Sequence, residues 1–263
     1  MAASSHPTRS VSFPSRSNVN VLRVQETLTK LKSRDSGVSA VQESVLCLVE
    51  LYGQVQELML LPSSSQYAER EFVEAALEIS GWLIDSCSRI TDLILRLKEQ
   101  VRDLQSALRR KGHFSVESEI RAYMCLRKKL GRDVARWVKE VKQAEGILGM
   151  PDLDPFLALL KEVYAVTISV FKSVFIYLSV PTKTSKWSVI SQLVMKRAKS
   201  EPEELCNEVT SVDVALHGVH DVSLVRERIE ALDASIVILE GELECLSRCL
   251  VRNRVSLLNI LTP

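Results

Sequence analysis

The most specific chemical pattern in the chain lies near its start. Arg9-Ser10-Val11-Ser12-Phe13-Pro14 fits R-S-x-S-x-P, the phosphoserine pattern read by 14-3-3 proteins. Arg9 stands three residues before Ser12, the spacing a basophilic kinase uses. A phosphate on Ser12 would add a charge of about −1.5 to −2, which an arginine cluster on the reader can clamp. Pro14, two residues on, lets the chain turn out of such a groove.

A second pattern is electrostatic. Arg127, Lys128 and Lys129 stand together, followed by Arg132, Arg136, Lys139 and Lys142 at helical spacing. A basic helix face of this kind suits an anionic membrane, calmodulin or RNA. We read these residues as a basic surface. The region from 96 to 142 holds 14 basic and six acidic residues, and that from 201 to 263 holds five basic and 12 acidic. The two regions are therefore expected side by side in one fold, where opposite fields orient the packing. A smaller basic amphipathic stretch spans 183–199, with Trp187 as its anchor.

Other chemistry is sparse. There is no GxGxxG, GxxxxGK[ST], GxSxG or HExxH motif. The histidines are His6, His113, His217 and His220, which leaves few general bases. The pairs Glu203/Glu204 and Glu242/Glu244 read as solvated helix faces. His217/His220 and Cys245/Cys249 have helical spacing and could in principle hold tetrahedral zinc. Cys245 and Cys249 adjoin Leu246 and Leu250, however, and read more simply as small apolar fillers. The expectation is no catalysis, no cofactor and no metal.

The bulk properties agree. Among 263 residues, 34 are Lys or Arg and 33 are Asp or Glu, giving a net charge of +1. Near-neutrality removes a global reason to bind nucleic acid. Only 9 glycines, against a usual share of about 7%, argue against collagen, a Gly-rich linker and a turn-rich β-sandwich. Six scattered cysteines and no apolar signal core suggest a reduced, cytoplasmic setting. The stretch 163–181 is apolar apart from Lys172 and a few hydroxyls. A central lysine costs about 2.5–3.5 kcal/mol in a bilayer, so this stretch reads as a buried bundle helix rather than a membrane span.

These groups must be held by helices. Pro62, Pro151, Pro155, Pro181 and Pro202 separate apolar-periodic segments, as proline must. Helices are expected over about 20–33, 39–61, 64–111, 115–148, 154–180, 185–199, 203–217 and 221–261. Gly112 and Ser115 mark a tight turn between the third and fourth, which should form an antiparallel hairpin. Gly81 could bend the third. The last helix carries Val225, Ile229, Leu232, Ile236, Leu239, Leu243, Leu246 and Leu250, stepping by 4 and 3 throughout, and so predicts one continuous buried stripe. The fold is expected to be all-α: an antiparallel bundle of long amphipathic helices spanning 19–263 as one domain, after a disordered Ser/Arg-rich tail at 1–18.

Several segments recur together in order: HPTRSVSFPSR at 6–16, LPSSSQ at 61–66, LQSALRR at 104–110 leading into VESEI at 116–120, KWSVISQLV at 186–194 and RVSLLNIL at 254–261. Their combination resembles the plant BYPASS-related family over nearly the whole chain. The resemblance implies a plant protein with one helical domain, linked to root and shoot development, and it brings no catalytic residues. The expectation is a helical interaction protein whose partners are proteins, a 14-3-3 protein among them. A peripheral adaptor on an anionic membrane is the second reading.

Overall fold

The computed structural model describes residues 16–33, 40–60, 70–111, 116–147, 155–179, 207–217 and 222–261. Among them lie seven helices: α1 (Arg16–Ser33), α2 (Ala40–Met59), α3 (Arg70–Lys111), α4 (Glu117–Ile147), α5 (Pro155–Leu178), α6 (Glu208–His217) and α7 (Val222–Leu261). The described residues contain no strand. The expected all-α bundle is therefore the fold. The tail at 1–15 and the 183–199 segment lie outside the described residues. So do the expected capping residues Gly112, Ser115 and Asp154.

The frame is a pair of long helices, α3 with 42 residues and α7 with 40. At about 1.5 Å per residue each reaches roughly 60 Å. They run antiparallel, with Lys98 bonded to Glu240, Arg102 to Asp233 at 3.5 Å, and Arg254 at the far end bonded to the Leu77 carbonyl. The stripe read from the α7 sequence is buried along its whole length and continues through Asn253, Ser256 and Leu257. Leu97, Leu104, Leu232, Leu239 and Leu246 are each at most 1% exposed. A buried leucine contributes about 1.5–3 kcal/mol of transfer free energy, so this ladder is the main source of cohesion.

The other helices complete the bundle. α2 runs parallel to α7, with Gln42 donating to the Ser235 carbonyl at 3.1 Å and Gln56 to Ser256 Oγ at 2.7 Å. α1 packs on α2 and α5, while α4 packs on α3 and α5. α5 is the apolar centre: Val163, Phe171, Val174 and Phe175 are all at most 2% exposed. Its buried Thr167 Oγ donates to the Val163 carbonyl at 2.7 Å and meets the Tyr52 hydroxyl at 2.9 Å. The described part of the apolar stretch at 163–181 is thus core. No helix among the described residues is long and apolar enough to cross a membrane.

α1 begins at Arg16, before the expected 20; no proline or glycine follows Pro14 to stop the helix there. Three expectations need correction. Gly81 lies within continuous α3, and a Cβ there would come within 3.1 Å of Arg254 Nη1. The glycine makes room for a guanidinium that also donates to Ser80 Oγ at 2.8 Å. The basic and acidic regions meet only in part: α3 lies along α7, whereas α4 packs chiefly on α3 and α5. Cys245 is exposed rather than an apolar filler, while Cys249 is half-buried.

Candidate interaction surface

α4 carries the basic run, and its inner face decides which way that run points. Tyr123, Arg127, Leu130, Val134, Trp137 and Val141 are all buried. They step by 4, 3, 4, 3 and 4, the spacing of a helix seam. Ile120 and Met124, beside this seam, are only partly buried. Trp137 stacks on Trp82 of α3 with ring centroids 5.6 Å apart and meets Phe175 of α5 at 4.2 Å. Its indole N–H donates to Ser86 Oγ at 3.0 Å. Arg89–Glu140 and Lys172–Glu145 ion pairs close the two sides.

Arg127 corrects the expected surface set. It is 7% exposed because the seam register carries it inward. Its Nε lies 3.2 Å from both carboxylate oxygens of Asp213, and its Nη2 lies 3.2 Å from Oδ2. Its Nη1 donates to the Leu178 carbonyl at the end of α5. Asn207 lies next to this group. Its Nδ2 donates to the Tyr177 carbonyl at 3.0 Å, while its Oδ1 accepts from Thr210 N and Thr210 Oγ at 2.7 Å. Asn207 is therefore the N-cap of α6. Two terminal carbonyls of α5, which a helix end leaves without intrahelical partners, are met by side chains from α4 and from the start of α6. Burial pushes the Tyr123 and Tyr177 phenols well above their ordinary values; Asp213 adds to the first effect and Glu208 to the second.

The clamp fixes the roll of α4, and Lys128, Lys129, Arg132, Arg136, Lys139 and Lys142 are all exposed. Together with Arg121 they cover one outer face over about 30 Å of helix. Arg121 pairs with Glu117 at 4.0 Å and Arg136 with Asp133 at 3.6 Å, both within α4. The other five have no acidic partner among the described residues. Six of the seven residues of the run, including Lys128, Lys129, Arg132 and Arg136, are thus exposed on this helix, and Arg127 alone is buried. Sequence reasoning missed Asp213, Asn207 and Tyr123. The signal was present: a charged residue occupying the seam position between Tyr123 and Leu130 calls for a buried counter-charge.

Arg9, Ser10, Ser12 and Pro14 lie outside the described residues, as does His220. Cys245 is exposed, and no cluster of three or more metal-ligating side chains occurs among the described residues.

Fold and surface together define an all-α bundle protein with one strongly basic outer face. The family model described as Protein BPS1 matches residues 45–260, more than half of the chain, and the chain belongs to that family. The match runs from within α2 almost to the end of α7 and leaves α1 and the phosphoserine motif outside. No curated protein and no solved structure matches the chain.

Proposed function

We propose that this protein is a non-enzymatic interaction scaffold of plant development, whose bundle holds the α4 basic face toward an acidic protein partner. One observation carries the reading: five cations without acidic partners among the described residues share the outer face of a helix whose inner face is locked by the Arg127 clamp and the Trp137 stack. Such a surface steers and orients a partner of opposite charge more than it adds raw affinity. The test is affinity capture from plant tissue with the wild-type chain and a Lys128→Glu, Arg132→Glu, Lys139→Glu variant. Acidic partners retained by the first, lost by the second and released by salt support the scaffold. Identical captured sets at low salt would overturn it.

The same face favours a second reading, a peripheral adaptor on anionic lipid. Here α4 would act by charge alone, because its apolar side is spent on the core. Cell fractionation separates the two: a pellet released by salt supports the adaptor, and a pool that never pellets supports the scaffold.

The N-terminal motif would make docking switchable. A peptide spanning 6–17 with phosphate on Ser12 should bind a 14-3-3 protein, and the plain peptide should not, since the arginines of the groove would lack the dianion. Ser12→Ala should abolish binding of the full chain. Equal affinity for both peptides in a calorimetric titration would remove the switch from the proposal.

A further inference from the structure

α7 has a second stripe, on the side away from the core. Ala234, Val237, Gly241, Glu244, Arg248, Val251, Val255 and Leu258 are all exposed. They step by 3, 4, 3, 4, 3, 4 and 3, the same heptad spacing as the buried seam. Val237, Val251, Val255 and Leu258 are each 43–50% exposed, and a Cβ at Gly241 would meet nothing within 4 Å. The stripe spans about 36 Å. An apolar heptad on the outside of a helix that already has its core seam is surplus to folding.

The order of residue types along this stripe reads as its own complement. Two copies laid antiparallel, with a two-fold axis at the level of Leu246, would place Glu244 opposite Arg248 of the second copy, and Arg248 opposite Glu244. The next layer outward sets Gly241 against Val251, then Val237 against Val255, then Ala234 against Leu258. Gly241 and Ala234 each face a larger residue, Val237 faces Val255, and each charge faces its opposite. Glu244 and Arg248 already pair within the helix at 3.2 Å, so the two-fold would join two such pairs into a four-charge network. An isologous contact requires this self-complementarity, which a different partner would not.

We infer that the outer face of α7 is a homodimer interface, in which two copies of this chain pack antiparallel through this stripe. A single helix face is small beside stable interfaces, which bury about 1,200–2,000 Å2, so the dimer should form reversibly. Exposed Cys245 flanks the axis, and the two copies of it would lie on one side of the helix pair.

Sedimentation velocity of the full chain over a hundredfold concentration range tests this. Monomer should give way to dimer as concentration rises. Glu244→Arg alone and Arg248→Glu alone should each weaken the dimer about tenfold, because like charges then face each other. The double exchange, Glu244→Arg with Arg248→Glu, should restore it. Val251→Glu with Val255→Glu should leave a monomer with unchanged Tm, since both positions are exposed. In a Cys125→Ser background, a short thiol crosslinker should trap the dimer through Cys245. A chain that stays monomeric at every concentration overturns the inference and leaves the stripe to some other helix. A dimer indifferent to these substitutions also overturns it, because it would use another face.

Discussion

α4 and α7 are both long, one-sided helices, yet their outer faces differ in kind. The outer face of α4 is predominantly basic, with Glu117 beside Arg121, and what it can hold is set mainly by charge. The outer face of α7 alternates apolar residues with one acid and one base, and it complements itself. Their inner faces differ as well. α7 is held by an aliphatic ladder from Val225 to Leu250 that gives way to polar contacts at Asn253, Arg254 and Ser256, whereas α4 is held by an aromatic stack and a buried ion pair. A ladder tolerates small rotations of its helix. A guanidinium that must meet Asp213 and a backbone carbonyl together does not, so the clamp fixes the roll of α4. The basic face is thereby held in one direction by a group from the same basic run.

The comparison breaks most visibly at the α7 ladder. Leu239 is 1% exposed, midway along the stripe. Leu239→Ala should cost about 2–5 kcal/mol through lost transfer energy and the cavity left behind. Leu239→Asp should unfold or aggregate the chain, because a carboxylate there has no buried counter-charge. Thermal melts of the two variants check this; an unchanged Tm for Leu239→Asp would show that the ladder is not the core.

The clamp should show the opposite signature. Arg127→Met removes the cation and leaves the Asp213 carboxylate buried without it, at a cost of about 3–5 kcal/mol. Arg127→Met combined with Asp213→Leu should recover most of that loss, since replacing both members of a buried ion pair by apolar groups is often close to neutral. No second substitution rescues Leu239→Asp in this way. Urea unfolding of the two singles and the double completes the cycle. Additive losses would show that the two groups do not act as a pair.

Much of this architecture is legible in the sequence, and the gaps have a common cause. The α7 ladder is plain because every position is aliphatic. The α3–α4 hairpin follows from a short turn between two strong stripes. Arg127 was misplaced because charge suggests solvent, while the helical phase set by Tyr123, Leu130 and Trp137 carries it inward. Phase decides the direction of a side chain; polarity decides only what the surroundings must then supply. Asp213 could not be paired with it from spacing, because 86 residues separate them and only the tertiary arrangement of α4, α5 and α6 brings them together. The outer stripe of α7 has the same regular spacing as the inner one, but the stronger inner pattern masks it.

Glu242 gives the smallest and most pH-dependent effect. It lies on α7, part-buried between the two stripes, and its Oε2 has no hydrogen-bond partner among the described residues. Burial pushes its carboxyl up to about 7 from an ordinary value of 4.5. Between those two values the folded chain binds a proton that the unfolded chain releases. Its contribution to stability is therefore fully present below about 4.5 and is lost as pH rises through 7. Glu242→Gln removes the charge, so the variant should gain on the wild type with rising pH and level off above 7. The gain should be about 1 kcal/mol, well below a direct conversion of the shift, because solvent screens a group that is only part-buried. Urea midpoints at pH 5 and pH 8 measure it. A gain of equal size at both would assign the effect to side-chain packing on α7 rather than to the ionised carboxylate.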